Sequence, residues 1–405
     1  MDCGLRIVCA HRDSDVVYCG IAVDAGTRHE TDEEGGVAHL VEHLTFKGTE
    51  RRNARQIITH IEGVGADLNA FTGKEETIYH CTLALCHLNR AIDLLLDIAL
   101  HSTFPQQEME REVEVVAEEI ESYNDQPAEL IYDEFESLLF PEHPLGRNIL
   151  GTPDGLRKLS PDHLRRFTNR LYTPSRMVLF VYGRADMDQI LRLVNRSRAM
   201  ENISRRDEGL ALGETPPSAP AWTGKVVRHK GCHQSHVMIG CRAMAATDPR
   251  YLHLFLLNNF LGGPAMSSRL NMALRERAGL VYTVESNLTA YTDTGVWSIY
   301  FGCDHKDVGR CCSLVDRQLE RLWMAPLTQK VFDDARRQLK GQLAIAHDSS
   351  EGVAIAMGKR FLHYRRTQTL EELFERLDAI TREQVCQTFN EIFSYKNLLT
   401  LVYTE

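Results

Sequence analysis

His39, Glu42 and His43 are the residues whose types and spacing point most directly to chemistry. Two imidazoles four apart in a helix stand one turn apart, so both reach a single metal ion. Glu42 falls between them, where its carboxylate can face a water at that ion. The surrounding stretch supplies the helix: at about 100° per residue, Val37, Leu40, Val41 and Leu44 form one apolar stripe, and His39, Glu42 and His43 fall on the opposite face. Thr31 or Asp32 is expected to cap it. An ordinary helix with a polar wet face would carry the same residues. What decides is a third ligand, because catalytic zinc sites offer three protein ligands and keep one position open.

A second segment, Glu110 to Glu121, is helical by pattern and crowded with carboxylates. Val113, Val116, Ala117 and Ile120 make its core stripe, while Glu114, Glu118 and Glu121 project to the far side. Glu112 and Glu119 differ: seven apart, they stack on one face with Val115 and Val116 bracketing them. Acidic side chains inside an apolar arc need a partner, and a metal ion is the best one on offer.

The order H-x-x-E-H, followed 76 residues after His43 by Glu119 within E-x6-E-I, resembles the inverzincin (pitrilysin-like, M16) metallopeptidases, on the side of the bacterial relatives of mitochondrial processing peptidase. The likeness runs through Gly26-Thr27-Arg28-His29-Glu30 and His43-Leu44-Thr45-Phe46-Lys47-Gly48-Thr49. It continues in Leu68-Asn69-Ala70-Phe71-Thr72, Glu76-Thr77-Ile78-Tyr79 and His143-Pro144-Leu145-Gly146. The reversed order of Glu and His excludes a thermolysin-like H-E-x-x-H enzyme.

The resemblance implies an α+β fold of two homologous α/β-roll domains, LuxS/processing-peptidase-like, each a mixed sheet with helices packed on it. It implies one Zn2+ per chain, held by His39, His43 and Glu119, with Glu42 as general base and Glu112 as an auxiliary carboxylate. Asn69, Ala70, Phe71 and Thr72 would take a peptide substrate as an added strand. Arg275 and Tyr282 match an R-x6-Y pair that, in the family, faces the zinc from an opposing domain and grips the substrate. The activity implied is zinc-dependent endopeptidase action on peptides or small unfolded proteins in a clamshell chamber. Since metal motif and R-x6-Y pair occur in one chain, a homodimer with shared active sites is expected. The competing readings are a non-catalytic structural or partner subunit, and a catalytic subunit that needs a different partner chain.

Length and composition set the frame. At 405 residues the chain is too long for one core and implies two domains. The expected boundaries are 1–200 for the zinc-bearing domain, 201–224 for a Pro-, Gly- and charge-rich linker, and 225–405 for the domain without metal. Leu288-Thr289-Ala290-Tyr291-Thr292 echoes Leu68-Asn69-Ala70-Phe71-Thr72 at an offset of 220, so the second half reads as a copy of the first. In that copy Asn258-Asn259 stand near the place of Glu42-His43, and Gln342 near that of Glu119. A net charge of −10 argues against nucleic acid, and no apolar run reaches the length of a membrane span. Eleven cysteines without C-x-x-C spacing and an N-terminus without an apolar leader fit a cytoplasmic protein.

Overall fold

The computed structural model describes residues 1–201, 203, 217–325, 327–393 and 397–405. Most of the expected linker, 201–224, lies outside them. The first half of the chain runs β1 (Arg6–His11), β2 (Val16–Val23), α1 (Val37–Thr45), α2 (Ala54–Glu62), β3 (Asp67–Thr72), β4 (Thr77–Ala84), α3 (Leu88–His101), α4 (Gln106–Asn124), α5 (Pro127–Leu139), α6 (Pro153–Leu156), α7 (Pro161–Leu171), β5 (Met177–Gly183) and α8 (Met187–Arg196). The second runs β6 (Gly224–His229), β7 (Ser235–Ala243), α9 (Tyr251–Gly262), β8 (Val281–Ala290), β9 (Gly295–Cys303), α10 (Val308–Met324), α11 (Gln329–Ala346), α12 (Ser350–Tyr364), α13 (Leu370–Asp378), α14 (Arg382–Ile392) and β10 (Leu399–Thr404). No helix among the described residues is long and apolar enough to cross a membrane. A single long helix over 106–139 is the sequence expectation. The chain instead breaks after Asn124 and restarts with Pro127 in the first turn of α5, where its missing N–H costs nothing.

Two compact units result. The first comprises the described residues of Met1–Glu121, Arg147–Leu212 and Ala346–Gln368. Its five-stranded sheet has the order β1-β5-β2-β4-β3, with β1 parallel to β5 and the other pairs antiparallel. Alternation sorts the side chains between the two faces. Val17, Cys19, Ile21 and Val23 of β2 join Leu40, Val41 and Leu44 of α1, Leu95 of α3 and Val116 of α4 in the main core. Val8, Ala22, Ile78, Val178 and Phe180 face the other way, against Ala354 and Leu362 of α12. Contact there is close: Gly358 leaves no room for a Cβ beside the Phe180 ring.

The second unit comprises the described residues of Ser122–Gly146, Gly213–Ile345 and Thr369–Glu405. Its sheet order, β6-β10-β7-β9-β8, repeats the first, including the one parallel pair, β6 with β10. Val237, Ile239, Trp297 and Phe301 enter its main core, and Met238, Val296, Tyr300 and Leu401 pack on Ile131, Phe135 and Leu139 of α5. Each sheet thus has one face covered by a helix encoded in the other half of the sequence, α12 for the first and α5 for the second. The hairpins also correct the repeat offset. Thr72 pairs with Thr77 and Ala290 with Gly295, so Thr72 corresponds to Ala290, an offset of 218. A slip of two residues keeps every side chain on its face, which is why the echo looked sound.

Candidate metal centre

The metal-type helix α1 starts after Gly36, whose φ of +86° is a left-handed conformation that suits glycine. Its first amides are capped neither by Thr31 nor by Asp32 but from further back. Glu30 accepts the N–H of Ala38 at 2.8 Å and that of Gly36 at 3.1 Å, meeting donors that a helix start leaves open. Burial pushes the Glu30 carboxyl up to about 8, against the pull of those two amides and of Arg147.

On the polar face of α1, His39 is buried and Glu42 and His43 are half-buried. The two rings meet edge to face with centroids 4.6 Å apart. Ligand atoms of His39, His43 and Glu119 all lie within 4.8 Å of one another, so small side-chain shifts would bring them inside the roughly 4 Å limit for ligands each about 2 Å from one ion. The donor set, two imidazoles and a carboxylate, is one that zinc takes. His39 adds a second observation: its Nδ1 is buried without a hydrogen-bond partner, and burial, then the neighbouring His43, push its pKa down to about 4. The ring is therefore neutral, as a ligand must be. The residues fit a zinc ion.

Helix α4 supplies both glutamates, in different settings. Glu112 is buried; its Oε2 lies 3.2 Å from His43 Nδ1 and its Oε1 2.5 Å from Lys47 Nζ. A carboxylate only accepts, so Nδ1 is the donor to Glu112, which in a neutral ring leaves the lone pair on Nε2, the nitrogen 3.7 Å from Glu119 Oε2. Glu119 is exposed, and so is Val115, so the apolar arc expected around both glutamates surrounds Glu112 alone. Lys47 was not foreseen, although it stands one turn beyond His43 and could have been sought there.

Glu42 Oε2 accepts from the Thr72 hydroxyl at 2.5 Å. Burial raises the Glu42 pKa most; Thr72 and His43 pull it down and the Glu119 charge pushes it up. Thr72 closes β3, the edge strand of the first sheet. Along that strand Asn69 is exposed, Ala70 and Phe71 are half-buried, and the Asn69 side chain accepts the Ala70 N–H at 2.8 Å. Arg275 and Tyr282 belong to the second unit. Arg275 sits in a π-helical turn, Asn271–Glu276, with its guanidinium 5.6 Å from the centre of the Tyr282 ring, and Tyr282 is 86% exposed.

A second group, Glu75, Glu76 and His363, also has metal-like spacing. Its charges are met by protein: Arg28 lies 2.7 Å from Glu75, and Lys359 and His363 lie 2.5 Å and 2.9 Å from Glu76. Among the described residues of the second unit no such group occurs. There Asn258 of α9 bonds twice to Ser286 of β8, so its polar atoms serve the fold.

A duplicated α/β architecture with a His-His-Glu cluster and an adjacent carboxylate on one copy defines a metallopeptidase-type protein. Residues 6–153 match the family model described as Insulinase (Peptidase family M16), and residues 158–339 match Peptidase M16 inactive domain. The chain is 33% identical over 400 residues to a Bacillus subtilis protein named uncharacterized zinc protease YmxG, covering 98% of this chain and 96% of that one. It is 30% identical over 395 residues to mitochondrial-processing peptidase subunit beta of Homo sapiens, covering 95% and 79%. A solved protease structure from Helicobacter pylori matches with a TM-score of 0.89 at 21% identity, over 100% of this chain and 97% of that one, a likeness of fold. The chain belongs to peptidase family M16.

Proposed function

We propose that this chain is a zinc-dependent endopeptidase that hydrolyses peptides or small unfolded proteins. The observation that carries the reading is the convergence of His39, His43 and Glu119, with Glu42 beside them on the same helix face. These three residues hold the ion, and the chemistry that zinc supplies in such a donor set is Lewis-acid activation of water and polarisation of the scissile carbonyl. Glu42 takes the proton of the attacking water and hands it to the leaving amine. Glu112, steadied by Lys47, orients the His43 ring. The free edge of β3 at Asn69–Thr72 takes an extended peptide as an added strand. Tyr282 donates to the developing oxyanion and Arg275 anchors the peptide backbone.

The working form in this reading is a cytoplasmic homodimer in which each copy supplies Arg275 and Tyr282 to the zinc of the other, enclosing a chamber. Supporting it are the exposure of Tyr282 and the presence of both residue sets in one chain. One observation favours a second reading, a catalytic chain that needs a different partner: the human relative is named as a subunit. The deciding experiment incubates the purified chain alone with a peptide mixture, with and without chelator. Cleavage that chelator stops and zinc restores supports the proposal; no cleavage by the zinc-loaded chain refutes a self-sufficient peptidase.

A further inference from the structure

Thr72 stands in a strand expected to hold substrate, yet its hydroxyl is already committed. It donates to Glu42 Oε2 at 2.5 Å. The neighbouring Thr77 hydroxyl has one proton, and the Ala25 carbonyl at 2.8 Å claims it ahead of Thr72 Oγ1 at 3.5 Å. Thr72 Oγ1 also has one proton, and the Glu42 carboxylate at 2.5 Å is a nearer and stronger acceptor than Thr77 Oγ1 at 3.5 Å, so that proton serves Glu42.

The backbone behind Thr72 is held from several sides. Thr72 pairs with Thr77, and the Gly73 N–H closes the intervening turn on the Glu76 carbonyl at 2.7 Å. The Thr27 and Arg28 amides bond to the Gly73 and Lys74 carbonyls, and Gly26 has no space for a Cβ against that turn. Arg28 pins Glu75, while Lys359 and His363 of α12 pin Glu76. Such anchoring fixes the backbone that carries the Thr72 hydroxyl. The β-branch of Thr72 narrows its rotamer choice further.

From this we infer that Thr72 is a positioning residue for the general base: its hydroxyl holds one oxygen of Glu42 so that the other stays presented to the attacking water. The inference rests on the reading of Glu42 as base. It differs from a substrate-binding role in what it predicts, since a positioning bond acts on turnover and a peptide contact acts on KM.

The test compares Thr72→Val, which keeps the shape and removes the hydroxyl, with Thr72→Ser, which keeps the hydroxyl. On a fluorogenic peptide, Thr72→Val is expected to lower kcat about 10- to 100-fold, the scale of a misplaced catalytic group. KM and zinc content should match wild type, and Thr72→Ser should recover most of the rate. Crystals of metal-free wild type and Thr72→Val supply a readout independent of activity: the Glu42 carboxylate should rotate in the variant. A loss confined to KM, equal loss in both variants, loss of zinc, or an unmoved Glu42 carboxylate would each overturn the inference. If wild type cleaves nothing, the functional reading fails, and the Glu42 orientation still decides whether Thr72 positions it.

Discussion

Glu112 Oε2 stands 3.2 Å from Nδ1 of His43, the ring nitrogen that Glu119 does not approach. One carboxylate therefore sets the tautomer of the ring while the other approaches the nitrogen left with a lone pair. Glu112→Gln should keep the metal but weaken its binding by about 10- to 100-fold, the usual cost of losing a partner that orients a ligand. A chelator competition measures this. Unchanged affinity would mean that helix α1 fixes His43 without the Glu112 carboxylate.

The roles on α1 separate in a metal analysis. Glu42→Gln should bind zinc as wild type does and lose about 10²- to 10⁴-fold in kcat, the range of general acid–base assistance. His39→Ala, His43→Ala and Glu119→Gln should each lose the metal itself. Zinc missing from Glu42→Gln would refute its assignment as base. Tight zinc binding by Glu119→Gln would move the third ligand to Glu112 or Glu118.

The pair Glu76–His363 predicts a pH window for stability. Burial alone would raise the Glu76 carboxyl, but the His363 bond and the Lys359 charge outweigh it and bring it down to about 2. Burial alone would lower His363, but its bond to Glu76 outweighs that and raises it above its usual 6.5. A depressed carboxyl contributes fully above its unfolded value of 4.5 and loses that contribution as pH falls toward 2. A raised histidine contributes fully below 6.5 and loses it as pH rises through the folded value. The pair should therefore stabilise most between those two limits. Unfolding free energies of wild type and His363→Gln from urea titrations should differ most there, by about 1–3 kcal/mol, and converge on both sides. A difference that does not vary with pH would show that His363 acts by packing alone.

How much of this was legible in the sequence follows from the range of each signal. H-x-x-E-H and E-x6-E-I are local spacings on helices, so α1 and the face of α4 could be read directly. The duplication showed through a short strand motif, with an error of two residues that strand periodicity conceals. Two features depend on chain segments meeting across long separations, the Thr72 bond to Glu42 and the placing of α5 and α12 on sheets of the other half; the Glu30 cap on α1 is local but reaches in from outside the usual capping position. None leaves a periodic trace. The burial on the polar side of α1 has a similar origin, since β3 and α4 lend partners there.

Close packing of α12 gives a prediction of its own. Gly358 sits where any Cβ would meet the Phe180 ring. Gly358→Val should cost about 1–3 kcal/mol by overpacking, visible as a lower urea midpoint. Because α12 also carries Lys359 and His363, a displaced helix should weaken the Glu76 cluster as well. An unchanged midpoint would mean that Phe180 finds another rotamer freely.

The shared-site dimer is tested by complementation. The first unit holds the proposed ligands His39, His43 and Glu119 with Glu42, and the second holds Arg275 and Tyr282 with the tyrosine open to solvent. An oxyanion donor works only from about 2.7–3.1 Å, so in the proposed reading Tyr282 contributes only once its hydroxyl is that close to the reacting carbonyl. If a second copy supplies it, Glu42→Gln and Tyr282→Phe chains are each nearly inactive alone but complete one site when paired. In a two-fold dimer, equal mixing and free exchange should restore about a quarter of the wild-type activity, since half the dimers are mixed and each carries one intact site. Light scattering should report twice the chain mass for the active species. No recovery despite demonstrated exchange, or full activity in a dilute monomer, would refute sharing between copies and place Tyr282 in the service of its own chain or of a different partner.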